Sequence, residues 1–198
     1  RLAQNTHRLR FEAPAIAAAI TPGQFVMVRL AGIDDPLLGR AFAMYDLSED
    51  RTAVDVVYLV HGKLTTALAT RQPGDRVEVW GPLGNGFAGD EREIDQLILV
   101  AGGIGYTPFL ACGKEALGKA SFGESAAPRT RLSAAKVTMC YGVRTADLLA
   151  GADDIKAAGI DLQIASDDGS IGHHGLVTDL LQRTLEETAD RRRRVMCC

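Results

Sequence analysis

Residues 97–108 constrain this chain more than any other segment. An apolar run, Leu97, Ile98, Leu99, Val100 and Ala101, breaks at Gly102, Gly103 and Gly105 and restarts at helical spacing after Pro108. A short apolar run bounded by glycines predicts a buried strand, and the restart predicts a helix, so the segment reads as strand, tight turn, helix. The three glycines can take positive φ and carry no Cβ. A ligand can therefore approach the backbone closely, and the free N–H groups at a helix start favour an anion there. Thr107 is placed to cap the helix, with Pro108 at its first position. The spacing Gly-Gly-x-Gly-x-x-Pro departs from the usual dinucleotide fingerprint. Alone it supports nucleotide binding and a plain strand–helix junction equally.

The rest of the chain divides near residue 92, giving expected domains 1–92 and 93–198. With 198 residues and 46% hydrophobic content, one large or two modest cores can form. Before the division, β-rich runs at 24–30, 52–60 and 76–80 are separated by turn signals such as Pro22-Gly23 and Pro73-Gly74, which predicts a small antiparallel barrel. After it, strands at 96–100, 136–140 and 161–165 alternate with helical patterns at 108–117, 147–158 and 178–187. Such alternation calls for a parallel sheet covered on both faces. Residues 119–133, rich in Ser, Ala, Gly and Arg, read as an exposed loop with no part in chemistry. Residues 191–198 begin a last strand and stop, so the second domain is expected to be incomplete.

Charge and cysteine usage exclude several classes. A formal charge of -3 argues against a general nucleic-acid binder, and the run Arg191 to Arg194 reads as a solvated face. No apolar run reaches membrane-spanning length, and the first residues have no signal-peptide profile, so a cytoplasmic location is expected. The four cysteines, Cys112, Cys140, Cys197 and Cys198, contain no Cys-x-x-Cys pair. They form neither a disulfide framework nor a zinc site. Cys140 reads as a small buried strand residue.

Several motifs stand in a fixed order: Arg40-Ala41-Phe42-Ala43-Met44-Tyr45, Val57-Tyr58-Leu59, Gly62-Lys63-Leu64-Thr65, Gly81-Pro82-Leu83-Gly84-Asn85-Gly86-Phe87, and then the glycine turn. This order resembles the ferredoxin reductase superfamily of flavoproteins. Downstream, Tyr141-Gly142-Val143-Arg144 and the segment from Ser166 to Asp179 resemble one branch, the electron-transfer subunit of B-type dihydroorotate dehydrogenase. The resemblance implies a Greek-key FAD barrel followed by a parallel-sheet NAD domain. It also implies a 2Fe-2S cluster, with ligands beyond Cys198, and a catalytic dihydroorotate dehydrogenase subunit or another redox subunit as partner. Cys198 resembles the cysteine of a Cys-Gly-Pro motif near the nicotinamide, not an iron ligand.

A flavin dinucleotide needs a charge for its pyrophosphate and a flat apolar partner for its ring. Arg40 supplies the first, Phe42 and Tyr45 the second. By resemblance, Arg40, Ala41, Phe42 and Ala43 line the flavin and its phosphates, Val57, Tyr58 and Leu59 pass the adenine side, and Leu64 with Thr65 closes over the pyrophosphate. The family carries Gly-Thr at this last place, so the Leu64 side chain must point away or the loop must shift. Read without the other motifs, Phe42 and Tyr45 would be core aromatics and Arg40 a surface charge.

On the nicotinamide side, ligands of parallel sheets sit outside the carboxyl ends of the strands. Gly102, Gly103, Gly105 and Pro108, then Tyr141 and Gly142, then Asp167 and Asp168 fall there. The two carboxylates would accept from a ribose diol and repel a 2′-phosphate, which favours NAD over NADP. Alternatively Asp168 is a local turn cap. His173 and His174, flanked by glycines, read as loop residues rather than metal ligands.

These features together point to a subunit passing electrons between NAD(H) and FAD, and the resemblance alone implies passage on to a cluster, for dihydroorotate oxidation in pyrimidine biosynthesis. A flavin subunit of a hydrogenase, sulfite reductase or ferredoxin:NAD oxidoreductase would share almost every motif. A non-catalytic dinucleotide-binding module is the alternative from another class, and Leu64 is the feature that favours it.

Overall fold

Alternation of side chains builds the first half of the molecule. In the computed structural model, which describes residues 1–32, 34–89, 94–124 and 128–198, strand β2 (Phe25–Leu30) turns Val26, Val28 and Leu30 inward and leaves Met27 and Arg29 outside. Its neighbours are β1 (Thr6–Glu12), β3 (Arg40–Leu47), β4 (Ala53–Leu59) and β5 (Val77–Leu83), of which β4 is buried on both faces from Ala53 to Tyr58. All pair antiparallel in the order β1-β4-β3-β2-β5. Strands β2, β3 and β4 are consecutive, and β5 returns through α2 (Lys63–Leu68) to lie beside β2, which is the Greek-key connection. Phe11 from one end of this order and Val77 and Val79 from the other pack on a single core, so the sheet is rolled on itself. Helix α1 (Pro14–Ala19) packs against both β4 and β5.

The second half is a parallel sheet. It joins β6 (Ile94–Gly102), β7 (Ala134–Val143), β8 (Asp161–Ser166), β9 (His173–His174) and β10 (Arg193–Cys197) in the order β10-β6-β7-β8-β9. Helices α3 (Phe109–Ala116) and α4 (Ala152–Ala157) contribute Phe109, Leu110 and Ile155 to the core on one face. On the other face α5 (Val177–Glu187) sets Leu180 against Ile98, Val100, Cys140 and Ala165. The chain runs outward from β6 through β7 to β8, then returns to the far side of β6 as β10. The strand order therefore reverses at β6 and β10, the place where such sheets hold ligands.

The two halves share their interiors. Tyr45 and Val57, from the outer face of the rolled sheet, are buried in the core of the parallel sheet, while Ala111 and Phe122 complete the other core. The expected boundary between residues 92 and 93 lies outside the described residues.

Three expectations need correction. The helix expected at 147–158 is split into a 3-10 turn at Ala146–Leu148 and the shorter α4, because Gly151 stands between them with φ +72°. Residues 119–133 are not simply exposed. Phe122 and Leu132 are buried, and Arg129 pairs with the buried Glu115 through two hydrogen bonds. His173 and His174 are not loop residues but a short edge strand opposite Ala165 and Ser166.

Candidate functional site

A cleft of about 780 Å³ lies across the carboxyl ends of β6 and β7. Gly102, Gly103 and Ile104 form one wall, and Tyr141, Gly142, Val143 and Arg144 the next. Leu59, Val60 and His61 at the end of β4 face them, with Asn5 and Thr6 beside, and Asp167 and the start of α5 complete the rim. A ligand here touches both halves of the protein. The rings of Tyr106 and Tyr141 stack with centroids 5.0 Å apart beneath it.

The three glycines differ in use. Only Gly103 is left-handed, at φ +51°, whereas Gly102 is extended, at φ -107°. A Cβ on either would meet nothing within 4 Å. That open space suits a ligand backbone. Gly105 serves packing, since a Cβ there would stand 2.6 Å from the Cys198 carbonyl oxygen. Thr107 does not cap α3. It ends a 3-10 turn (Gly103–Tyr106) with helical φ -57° and ψ -41°, whereas a capping residue needs extended backbone. Pro108, expected as the first helical residue, is the buried residue just before the helix.

The rim loop after β8 is held by its own polar groups. The Ser166 hydroxyl donates to the Ile171 carbonyl (2.7 Å) and accepts from the Ile171 N–H (3.1 Å). The two neighbouring carboxylates part company here. Asp167 lines the cleft. Asp168 accepts from the Ser170 hydroxyl (2.6 Å) and N–H (3.0 Å), bonds that hold its carboxyl below the usual range, so it is the local cap. Asp179 likewise accepts from the Leu176 N–H (2.9 Å) and approaches His173 (3.2 Å), and both contacts lower its pKa.

On the rolled sheet, Arg40 is exposed at the start of β3, its guanidinium donating to the Leu38 and Gly39 carbonyls. Ala41 and Ala43 lie on the outer face opposite Met27 and Phe25. Phe42 packs at 5.5 Å on Tyr58, which in turn stacks at 5.9 Å on His7. Lys63, at the start of α2, pairs with Asp35 on the surface. Leu64 points into the barrel core beside Leu68, which resolves the departure from Gly-Thr: the side chain is turned away from the surface. The Thr65 hydroxyl accepts from the His61 N–H at 2.7 Å and so fixes the loop ahead of α2.

Tyr45 is a correction. Its side chain is wholly buried between the halves, its hydroxyl donating to Asp154 at 2.7 Å, and it offers no face to a flavin ring. Val57 is buried in the same core, so of the adenine-side residues only Leu59 is open to the cleft. Sequence reasoning assigned no role to Asn5, His61, Arg144 or Leu176, all on the cleft. Arg144 was within reach of that reasoning because it follows Tyr141 and Gly142 on the same strand end. Asn5 and Leu176 carry no such signal.

An exposed cation at Arg40, another at Lys63 and an open Gly62 fit a diphosphate along the rolled sheet, while Gly102 and Gly103 fit a second nucleotide at the parallel one. Fold and cleft define a ferredoxin-reductase-like oxidoreductase that uses FAD and NAD(H). The family of oxidoreductase FAD-binding domains matches residues 1–87, and the NADH-dependent reduced ferredoxin-NADP oxidoreductase superposes with a TM-score of 0.75 at 27% identity, over 94% of this chain and 61% of that one. The ferredoxin reductase of carbazole 1,9a-dioxygenase has the same fold, with a TM-score of 0.77 at 18% identity over 100% of this chain and 57% of its own. More closely, the chain belongs to the family of dihydroorotate dehydrogenase B (NAD+) electron-transfer subunits. It is 33% identical over 187 residues to that of Geobacillus kaustophilus, covering 93% of this chain and 67% of the relative. It is 32% identical to that of Desulforamulus reducens, with 93% and 65% covered. The chain thus spans about two thirds of the length of the curated relatives it matches.

Proposed function

We propose that FAD lies along β3, β4 and the start of α2, that NAD(H) enters the cleft at the ends of β6 and β7, and that electrons pass on to a catalytic redox subunit, one that oxidises dihydroorotate. The observation that carries this reading is the cleft shared by Leu59 and His61 from one half and Gly102, Gly103 and Gly142 from the other. Bound together, the cofactors supply hydride transfer between nicotinamide and flavin. The chain's own part is orientation. Arg40 and Lys63 hold the flavin pyrophosphate, Ala41 and Ala43 border its ring from the outer face of β3, and Tyr141 with the open glycines seats the nicotinamide nucleotide; Phe42, expected beside the ring, lies instead in the barrel core behind them. Asp167 accepts from a ribose diol and repels a 2′-phosphate. Among the described residues no group of three or more His, Cys, Asp and Glu is arranged to hold a metal ion; the resemblance puts the ligands of a 2Fe-2S cluster beyond Cys198. No helix among them is long and apolar enough to cross a membrane.

Two variants test these placements. Arg40→Ala removes a charge-assisted contact worth about 1.5–3 kcal/mol, so FAD retention on gel filtration falls; equal flavin content in wild type and variant contradicts the assignment. Asp167→Arg narrows the preference for NADH over NADPH in anaerobic flavin reduction. A wild-type protein that already reduces equally fast with both contradicts the ribose assignment.

A further inference from the structure

The outer face of β3 is attached to the second half of the molecule at one joint. The register of β3 against β4 shifts between Met44 and Asp46. This bulge leaves Tyr45 and Asp46 directed alike, away from the barrel core that holds Met44. The Tyr45 hydroxyl donates to Asp154 Oδ2 in the first turn of α4 (2.7 Å), and Arg8 of β1 donates to the same oxygen (3.2 Å). Asp46 pairs with Lys114 of α3. Burial raises the Tyr45 pKa far beyond the usual phenol range, so its proton stays in place for Asp154.

Packing leaves no slack at this point. Tyr45 meets the Tyr106 ring edge-on at 5.9 Å, and Tyr106 stacks on Tyr141 under the cleft. Both tyrosine hydroxyls converge on Gly151, where a Cβ would lie 2.7 Å from that of Tyr45 and 3.1 Å from that of Tyr106. The Tyr106 hydroxyl is buried without a hydrogen-bond partner among the described residues. The arrangement is a continuous rigid connection from the barrel to the floor of the nucleotide cleft.

We infer that Tyr45 and Asp154, steadied by Arg8, are positioning residues that fix the angle between the two halves, and with it the alignment of nicotinamide on flavin. The inference rests on the proposed function for its consequence, though not for its geometry. A misplacement of about 1 Å by a remote mutation can slow a reaction on the order of a hundredfold. Neither residue lines the cleft, so no direct contact to a bound nucleotide is lost when either is changed.

The test uses the whole chain reconstituted with FAD, with variants Tyr45→Phe, Asp154→Ala and Asp154→Asn. The Asn amide oxygen can still accept from Tyr45. Tyr45→Phe and Asp154→Ala are expected to lower the limiting rate of flavin reduction at saturating NADH at least about tenfold with FAD content unchanged, while Asp154→Asn restores most of the rate. Amide exchange in α4 accelerates in the first two and not in the third, a readout that needs no cofactor. Exchange and limiting rate unchanged in Tyr45→Phe and Asp154→Ala overturn the inference, and so do equal losses in Asp154→Ala and Asp154→Asn. If the wild type itself is not reduced by NADH, the proposed function fails and the exchange measurement alone decides the joint.

Discussion

Gly151→Ala is expected to be among the most damaging single-methyl changes in this protein. A non-glycine residue in the left-handed region costs about 1–2 kcal/mol, and an extra methyl in a filled interior about 1–3 kcal/mol, for a total of roughly 2–5 kcal/mol. At φ +72° Gly151 incurs both, because its new Cβ would lie 2.6 Å from a Tyr106 ring carbon and 2.7 Å from the Tyr45 hydroxyl. For a chain of this size each kcal/mol lowers the melting temperature by about 2–4 °C. Gly159→Ala is the control. Its φ is +74°, but its crowding neighbour is the flexible tip of Lys119, so only the backbone cost applies. Thermal melts of the two variants separate the contributions, and equal losses contradict the packing of the joint.

That joint marks the limit of what the sequence discloses. The parallel half is legible because apolar runs such as 97–101 and the glycine turn are local signals, and its strands form at Ile94–Gly102, Ala134–Val143 and Asp161–Ser166. The rolled sheet is legible for the same reason, since alternation in Val26, Val28 and Leu30 repeats every second residue. Tyr45 is the counter-example. It stands three residues after Phe42, in a motif that supplies an aromatic to a flavin, and nothing local announces the bulge that turns it to Asp154, 109 residues away. For Asp168 the sequence offers two readings, ribose acceptor beside Asp167 or local turn cap. Only the position of Ser170 makes it a turn cap and leaves Asp167 at the cleft.

Gly102→Val is expected to separate folding from binding. The position is extended, at φ -107° and ψ 124°, with nothing within 4 Å of a Cβ, so a side chain starts into open space. Stability should change by no more than about 0.5 kcal/mol, as for ordinary surface substitutions. The same space is where a nucleotide would pass. Filling it should cost about 1–3 kcal/mol, a roughly fivefold to 150-fold loss of NADH affinity. Gly103→Val, at φ +51°, should lose stability as well. A Gly102→Val protein that binds NADH like the wild type would remove the glycine turn from the site.

The central claim is that one cleft brings NAD(H) to an FAD held by the other half of the same chain. Anaerobic titration of the FAD-reconstituted protein with NADH, followed by flavin absorbance, tests it most directly. The account predicts a yellow protein whose flavin absorbance bleaches with one equivalent of NADH per flavin and far more slowly with NADPH. A folded protein that retains no FAD, or one that holds FAD and stays oxidised in excess NADH, would contradict it.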